Sequence, residues 1–249
     1  MARAAAQKGL DGITVTDHCD VILWRDVDIT KSILNSVKEA KEADNKYGVR
    51  VFCGLEIGET FWQPDEAKRA ITAADYDQVT GSVHAIDKDG MNVSYSTIDF
   101  SKYTEEELHT FMTVYFENMV TMLETTDIDV MAHLSCPIRY INGKFARGVD
   151  LARYEQRITD ILKIIIEKNI ALEVNTSGIG TSLGDTMPPK WVVKKYRELG
   201  GELVTIGSDA HVAQNAGNWF DGAIQMLKSL GFDAYYYYEK RKPQRCDIL

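Results

Sequence analysis

Short apolar runs alternate along the chain with longer stretches of helical spacing. Six runs read as strands: residues 12–18, 49–59, 77–84, 128–134, 170–176 and 203–209. Seven stretches predict helices: residues 2–8, 30–46, 64–73, 104–125, 151–168, 188–199 and 218–230. Thr104 followed by Glu107 is a capping box. Pro188 and Pro189 suit a first helical turn, and Gly200 and Gly231 suit helix ends. Valine- and isoleucine-rich strands alternating with helices predict an α/β fold, a parallel sheet covered by helices. Six strands, with a further candidate at 234–238, exceed one small mononucleotide-binding unit, so a (β/α) barrel is expected. A doubly wound sheet is the alternative. Residues 85–102 read as a polar segment long enough for an active-site loop. The helical stretch 1–9 precedes the first strand, so the chain is expected to start inside a β/α unit.

Chemistry-bearing residues close these strands. The first ends Thr16-Asp17-His18, the second contains Gly54-Leu55-Glu56, and the third ends Ser82-Val83-His84. The fourth contains Ala132-His133, and the last ends Ser208-Asp209-Ala210-His211. In a parallel barrel the C-terminal strand ends converge on one rim, where barrel active sites are built. Imidazoles with carboxylates suit zinc, manganese or iron. Six such groups exceed one tetrahedral ion and fit two or more. Glu56 lies in an apolar strand and needs a cationic partner there. Asp17 reads either as a ligand or as a group orienting a histidine. His109 falls within a helical stretch and reads as solvated helix face.

Charge and cysteine usage narrow the options. Lys plus Arg number 28 and Asp plus Glu 37, a net charge of −9. That balance argues against nucleic acid, which needs a basic face. It leaves room for a small phosphorylated substrate at a metal site. No apolar run approaches the roughly 18 residues of a membrane span, so no membrane partner is expected. Cys19, Cys53, Cys136 and Cys246 form no C-x-x-C pair, which points to a reducing cytoplasm. The glycines form neither G-x-G-x-x-G nor a P-loop. Tyr235–Tyr238 reads as a strand packed on the barrel, and the charged run 239–242 as solvated surface. Hydrolysis of a phosphate ester is the chemistry expected of a multinuclear site of this kind.

The ordered motifs Thr-Asp-His, Gly-Leu-Glu-Ile, Ser-Val-His, Ala-His, Glu-Val-Asn-Thr-Ser-Gly and Gly-Ser-Asp-Ala-His resemble the PHP (polymerase and histidinol phosphatase) superfamily. Ser-Cys-Pro-Ile-Arg-Tyr after His133, and Arg241-Lys242-Pro243, point to its histidinol-phosphatase branch. The resemblance implies a distorted (β/α)₇ barrel holding two to three divalent ions, zinc, manganese or iron. By motif, His18 and His211 would hold one ion. Glu56, His84 and His133 would hold a second, with Glu56 bridging, and Asp209 would serve a third. Arg139 would bind substrate phosphate, and Asn175, with Glu173 on the same strand, would shape the pocket. Asp209 or His211 would supply the leaving-group proton, and the residues do not choose between them. The implied reaction takes L-histidinol phosphate to histidinol and phosphate in histidine biosynthesis. Another small phosphoester, or a non-catalytic metal-binding remnant, is the alternative. The family's opening His-x-His is absent here. Residues 1–249 are therefore expected to be a single, N-terminally truncated PHP-type domain lacking its first strand.

Overall fold

The computed structural model describes residues 1–20, 29–88 and 90–248. In chain order its elements begin α1 (Ala2–Gln7), β1 (Gly12–Asp20), α2 (Ile29–Ala43), β2 (Arg50–Gly58), α3 (Pro64–Ile71), β3 (Gln78–Ser82), β4 (Ala85–Lys88), β5 (Met91–Ser94) and α4 (Glu105–Thr125). They continue β6 (Val130–Met131), α5 (Glu155–Glu167), β7 (Ala171–Asn175), α6 (Lys190–Glu198), β8 (Val204–Gly207), α7 (Phe220–Ser229), β9 (Ala234–Glu239) and β10 (Lys242–Asp247).

Six strands form one parallel sheet in the order β1-β2-β3-β6-β7-β8. All six expected strands are present, the fourth shortened to Val130–Met131. Parallel neighbours need crossovers, which the intervening segments supply. All of β3 and all but the first residue of β2 are buried, which is why these runs read as continuously apolar. The helices bury one stripe each. In α2 that stripe is Ile33, Val37 and Ala40, and in α5 it is Ile158, Ile161, Leu162 and Ile165. The sheet is open: β1 and β8 are its edges among the described residues. Helix α1 reaches across to the β8 side, where the Lys8 ammonium donates to Gln214 O at 2.8 Å and Ala216 O at 2.7 Å.

Several expectations need correction. The tyrosine run is a strand, but it pairs antiparallel with β10 rather than entering the parallel sheet. Its turn residues, Lys240 (φ 52°) and Arg241 (φ 62°), both have positive φ, as a tight hairpin turn requires. The charged run is therefore not simply solvated. Arg241 Nε donates to Asp129 Oδ2 at 2.5 Å, and the same oxygen accepts from Val79 N at 2.7 Å. Residues 85–102 do not form an irregular polar loop. They fold as the β4–β5 hairpin and two 3₁₀ turns because Ile86, Tyr95, Ile98 and Phe100 are buried in the core. The capping box at Thr104 and Glu107 is formed. Helix α6 starts at Lys190, with Pro189 as its N-cap and a cis Met187–Pro188 bond before it.

Arg241→Ala would leave the largely buried Asp129 with only a backbone donor. A lost charged hydrogen bond is worth about 1.5–3 kcal/mol, and each kcal/mol shifts melting by roughly 2–4 °C at this size. Calorimetry is expected to show a loss of several degrees for Arg241→Ala, with exposed Lys242→Ala unchanged. Equal melting of the two would contradict the tether.

Candidate metal centre

The C-terminal ends of β1, β2, β3 and β6 bring four predicted residues together. Glu56 is 8% exposed and His133 is 3% exposed. His133 Nε2 lies 3.1 Å from Glu56 Oε1, and His84 Nε2 lies 3.2 Å from the same oxygen. The two Nε2 atoms are themselves 3.2 Å apart. The other Glu56 oxygen faces His18 Nε2 at 3.9 Å. Ligand atoms at 2.0–2.1 Å from a tetrahedral zinc are separated by roughly 3.3 Å, so this triplet already has the spacing of a coordination shell. Its donors also suit a divalent transition ion. When the imidazoles are neutral with the proton on Nδ1, three lone pairs face one another there, an arrangement that a cation satisfies.

Outer contacts aim these rings. His84 Nδ1 meets Asp20 Oδ1 at 2.9 Å. In the neutral ring a carboxylate on Nδ1 keeps that proton outward and leaves the Nε2 lone pair facing Glu56 and His133, where an ion would take it. His18 Nδ1 lies 3.5 Å from Asp20 Oδ2. Asp20 therefore does what the sequence reading offered to Asp17. Side chains alternate along a strand, so His18 and Asp20 share a face while Asp17 points the other way and bonds Ser36 of α2. His133 has a left-handed backbone, φ 24°, and its N–H donates to Glu173 Oε2 at 2.8 Å. Gly207 leaves room for that glutamate: a Cβ there would stand 1.9 Å from Glu173 Oε1. Glu59 closes the back of the site, its carboxylate accepting the His84 and Ala85 amides.

These contacts set the charges. Burial pushes Glu56 up, but hydrogen bonds from His133 and His84 outweigh it and hold the carboxyl well below its ordinary 4.5. Burial likewise opposes the hydrogen bonds from His18 and His84 that hold Asp20 below 3.8. Burial pushes His84 down, yet Asp20 and Glu56 lift it well above 6.5. Burial also opposes His133, which Cys136 and Glu56 raise to about 9. The stability from the two carboxylates is present above their unfolded values and lost as pH falls below them. The stability from the histidines is full below 6.5 and lost as pH rises, for His133 through about 9. Glu59, raised to about 7 by burial and Asp20, loses its share as pH rises from its ordinary 4.5 through about 7. The metal-free protein is therefore expected to melt highest between about pH 4.5 and 6.5 and to weaken toward pH 9. Melting in chelator across this range checks it, and a maximum at pH 8 or above would contradict it. Metal binding runs the other way, since it requires neutral imidazoles and tightens as pH rises.

Arg139 stands six residues past His133, at the start of a π-helical segment, Arg139–Lys144. One guanidinium nitrogen donates to Ser177 Oγ at 2.7 Å and Asp209 Oδ2 at 3.0 Å, and another to Tyr140 OH at 3.2 Å. Asp209, with φ 48°, also turns toward His211, whose Nδ1 lies 3.1 Å from Asp209 O and 3.4 Å from Oδ1. His211 is 67% exposed in its side chain, and its ring centroid is 5.5 Å from that of His18. Asn175 is buried. Its Oδ1 accepts from Ser177 N and Oγ, and its Nδ2 donates to Glu173. Asn175 thus braces Ser177 and Glu173.

Among the described residues, the three-donor groups are His18-Asp20-His84 and Glu56-His84-His133. Asp209 and His211 belong to neither. His109 lies on an exposed helix face, as expected, and bonds Tyr154 OH at 2.9 Å. Asp20, Glu59 and Ser177 were not singled out from sequence. Asp20 carried a usable signal, two residues past His18 on the same strand face.

Residues 1–177 match the family described as PHP domain. A probable histidinol-phosphatase of Clostridium acetobutylicum is 28% identical over 241 residues, 95% of this chain and 89% of that one. The histidinol-phosphatase of Lactococcus lactis is 25% identical over 233 residues, 92% and 83% of the two chains. The crystal structure of histidinol phosphate phosphatase from Lactococcus lactis, complexed with zinc, L-histidinol and phosphate, has a TM-score of 0.77 to this chain. Its identity is 21%, covering 97% of this chain and 90% of that one, which shows a common fold. The matched segment includes β1, β2, β3 and β6 with the residues that converge at their ends, and this chain belongs to the PHP domain family.

Proposed function

We propose that this chain is a metal-dependent phosphatase that hydrolyses L-histidinol phosphate to histidinol and phosphate. The observation that carries the reading is the convergence of Glu56, His84 and His133 to within 3.2 Å of one another. It is supported by relatives named as histidinol-phosphatases. Glu56, His84 and His133 would hold one divalent ion. His18, whose Nε2 faces the other Glu56 oxygen at 3.9 Å, would help to hold a second. Such ions supply positive charge against phosphoryl oxygens and make water a nucleophile near neutral pH.

The remaining steps fall to side chains. Arg139 binds the non-bridging phosphoryl oxygens. Ser177 and Asp209 hold its guanidinium in place beforehand, so charge building on those oxygens meets a donor that need not reorganise. Asp209 is engaged by Arg139 and acts as an orienting group rather than a ligand. His211, set against Asp209 through Nδ1, keeps Nε2 free to carry the proton to the leaving alkoxide. All four cysteines are free thiols, which supports a cytoplasmic setting. No helix among the described residues is long and apolar enough to cross a membrane.

The test is kcat/KM of zinc- or manganese-loaded protein on L-histidinol phosphate against sugar and nucleoside monophosphates. A preference of roughly tenfold or more for histidinol phosphate is expected, the scale of one or two specific contacts. Equal or better turnover of another ester would overturn the substrate assignment. Turnover of none would mean a binding protein.

A further inference from the structure

Glu59 is fully buried, and among the described residues its carboxylate hydrogen-bonds backbone amides rather than ligand side chains. It lies three residues past Glu56 and has a left-handed backbone, φ 46°, an uncommon conformation for a residue with a Cβ. This turn sends its side chain across to the neighbouring strand. There Oε1 accepts the backbone N–H of both His84 and Ala85, the latter at 2.9 Å. These amides sit between the last residue of β3, Ser82, and the first of β4, Ala85, and buried amides need acceptors. The His84 side chain leaves the backbone at this point and reaches Asp20 with one nitrogen and Glu56 and His133 with the other.

Packing alone does not account for this residue. The second carboxylate oxygen, Oε2, is buried with no partner among the described residues. A buried carboxylate satisfied on one side only is unfavourable, and an apolar side chain would fill the same volume. What the carboxylate provides is the pair of amide bonds. The device recurs on the other side of the centre, where Glu173 Oε2 accepts the N–H of His133. In each case a glutamate in or just past an adjacent strand holds the backbone of a histidine rather than its ring.

We propose that Glu59 is a positioning residue for the metal centre, clamping the His84–Ala85 backbone so that His84 Nε2 faces Glu56 and His133. The proposal rests on the reading that Glu56, His84 and His133 hold a divalent ion. The clamp needs an acceptor oxygen and not the negative charge. Glu59→Gln keeps that oxygen, whereas Glu59→Ala and Glu59→Met lack it, the latter with similar volume.

Zinc affinity, measured by competition with a chromophoric chelator, separates these cases. Leu227→Ala, a buried change in α7, serves as a destabilised control away from the centre. Glu59→Ala is expected to weaken zinc binding by roughly 10–100-fold, the usual effect of losing an outer partner of a ligand. Glu59→Gln is expected to stay close to wild type, and Leu227→Ala to keep full affinity despite a lower melting temperature. If Glu59→Ala does not melt cooperatively, Glu59→Met replaces it under the same criteria. Wild-type affinity in the variant lacking the acceptor overturns the clamp, as does a Gln variant no better than Ala. A loss in Leu227→Ala equal to that in Glu59→Ala also overturns it, because the effect would then be general destabilisation. Wild-type protein that binds no zinc defeats the metal reading itself, and the clamp with it.

Discussion

Glu56→Ala is expected to strip the protein of tightly held metal and to abolish most of its phosphatase activity. Glu56 is the only carboxylate among the described residues that meets three imidazoles: His133 at 3.1 Å, His84 at 3.2 Å and His18 at 3.9 Å. It is nearly fully buried, so no surface side chain stands ready to replace it. Alanine leaves His133 without its carboxylate partner and His84 with Asp20 alone. Losing an outer partner of a ligand typically costs about 10–100-fold in metal affinity, so losing the anionic ligand itself is expected to cost roughly 10²-fold or more. His109→Ala, on an exposed helix face, is the control and should retain wild-type metal. Elemental analysis after dialysis compares the two. Equal metal in both variants would remove Glu56 from the ligand set.

Arg139→Lys is expected to slow hydrolysis by roughly ten- to a hundredfold while leaving metal content unchanged. The guanidinium does not touch the ligand triplet. It is held from behind by Ser177 and Asp209 and flanked by Tyr140, with its ring-stacked carbon 5.2 Å from the Tyr140 centroid. Lysine keeps the charge but not the planar fork, so it cannot meet Ser177, Asp209 and two phosphoryl oxygens together. Losing one charge-assisted hydrogen bond is worth about 1.5–3 kcal/mol, which sets the expected rate loss. A kcat/KM within about twofold of wild type, with normal metal, would mean that Arg139 serves the Asp209 turn and not the phosphate.

Much of this centre is legible in the sequence, for a simple reason. Parallel strands put their C-terminal ends on one rim, so His18, Glu56, His84 and His133 could be grouped from strand pattern alone. The alternation of side chains would also have placed Asp20 beside His18, had the first strand been continued past His18 to Asp20. Other features left no such trace. Glu59 acts through a left-handed turn and a backbone contact 25 residues away, which neither composition nor periodicity records. The pairing of Arg139 with Asp209 joins residues 70 apart through a π-helical turn and a positive-φ aspartate. Arg241 read as surface because its partner, Asp129, lies 112 residues away under the hairpin. Residues 85–102 read as polar because their buried members, Tyr95, Ile98 and Phe100, are spaced by serines, threonine and aspartate rather than clustered.

The most direct measurement is phosphate release from L-histidinol phosphate by chelator-stripped protein as zinc or manganese is added back, with bound metal counted per chain. The account predicts negligible turnover in the stripped protein, activity rising in step with bound metal, and no recovery in Glu56→Ala. Full turnover by protein that carries no metal would contradict it.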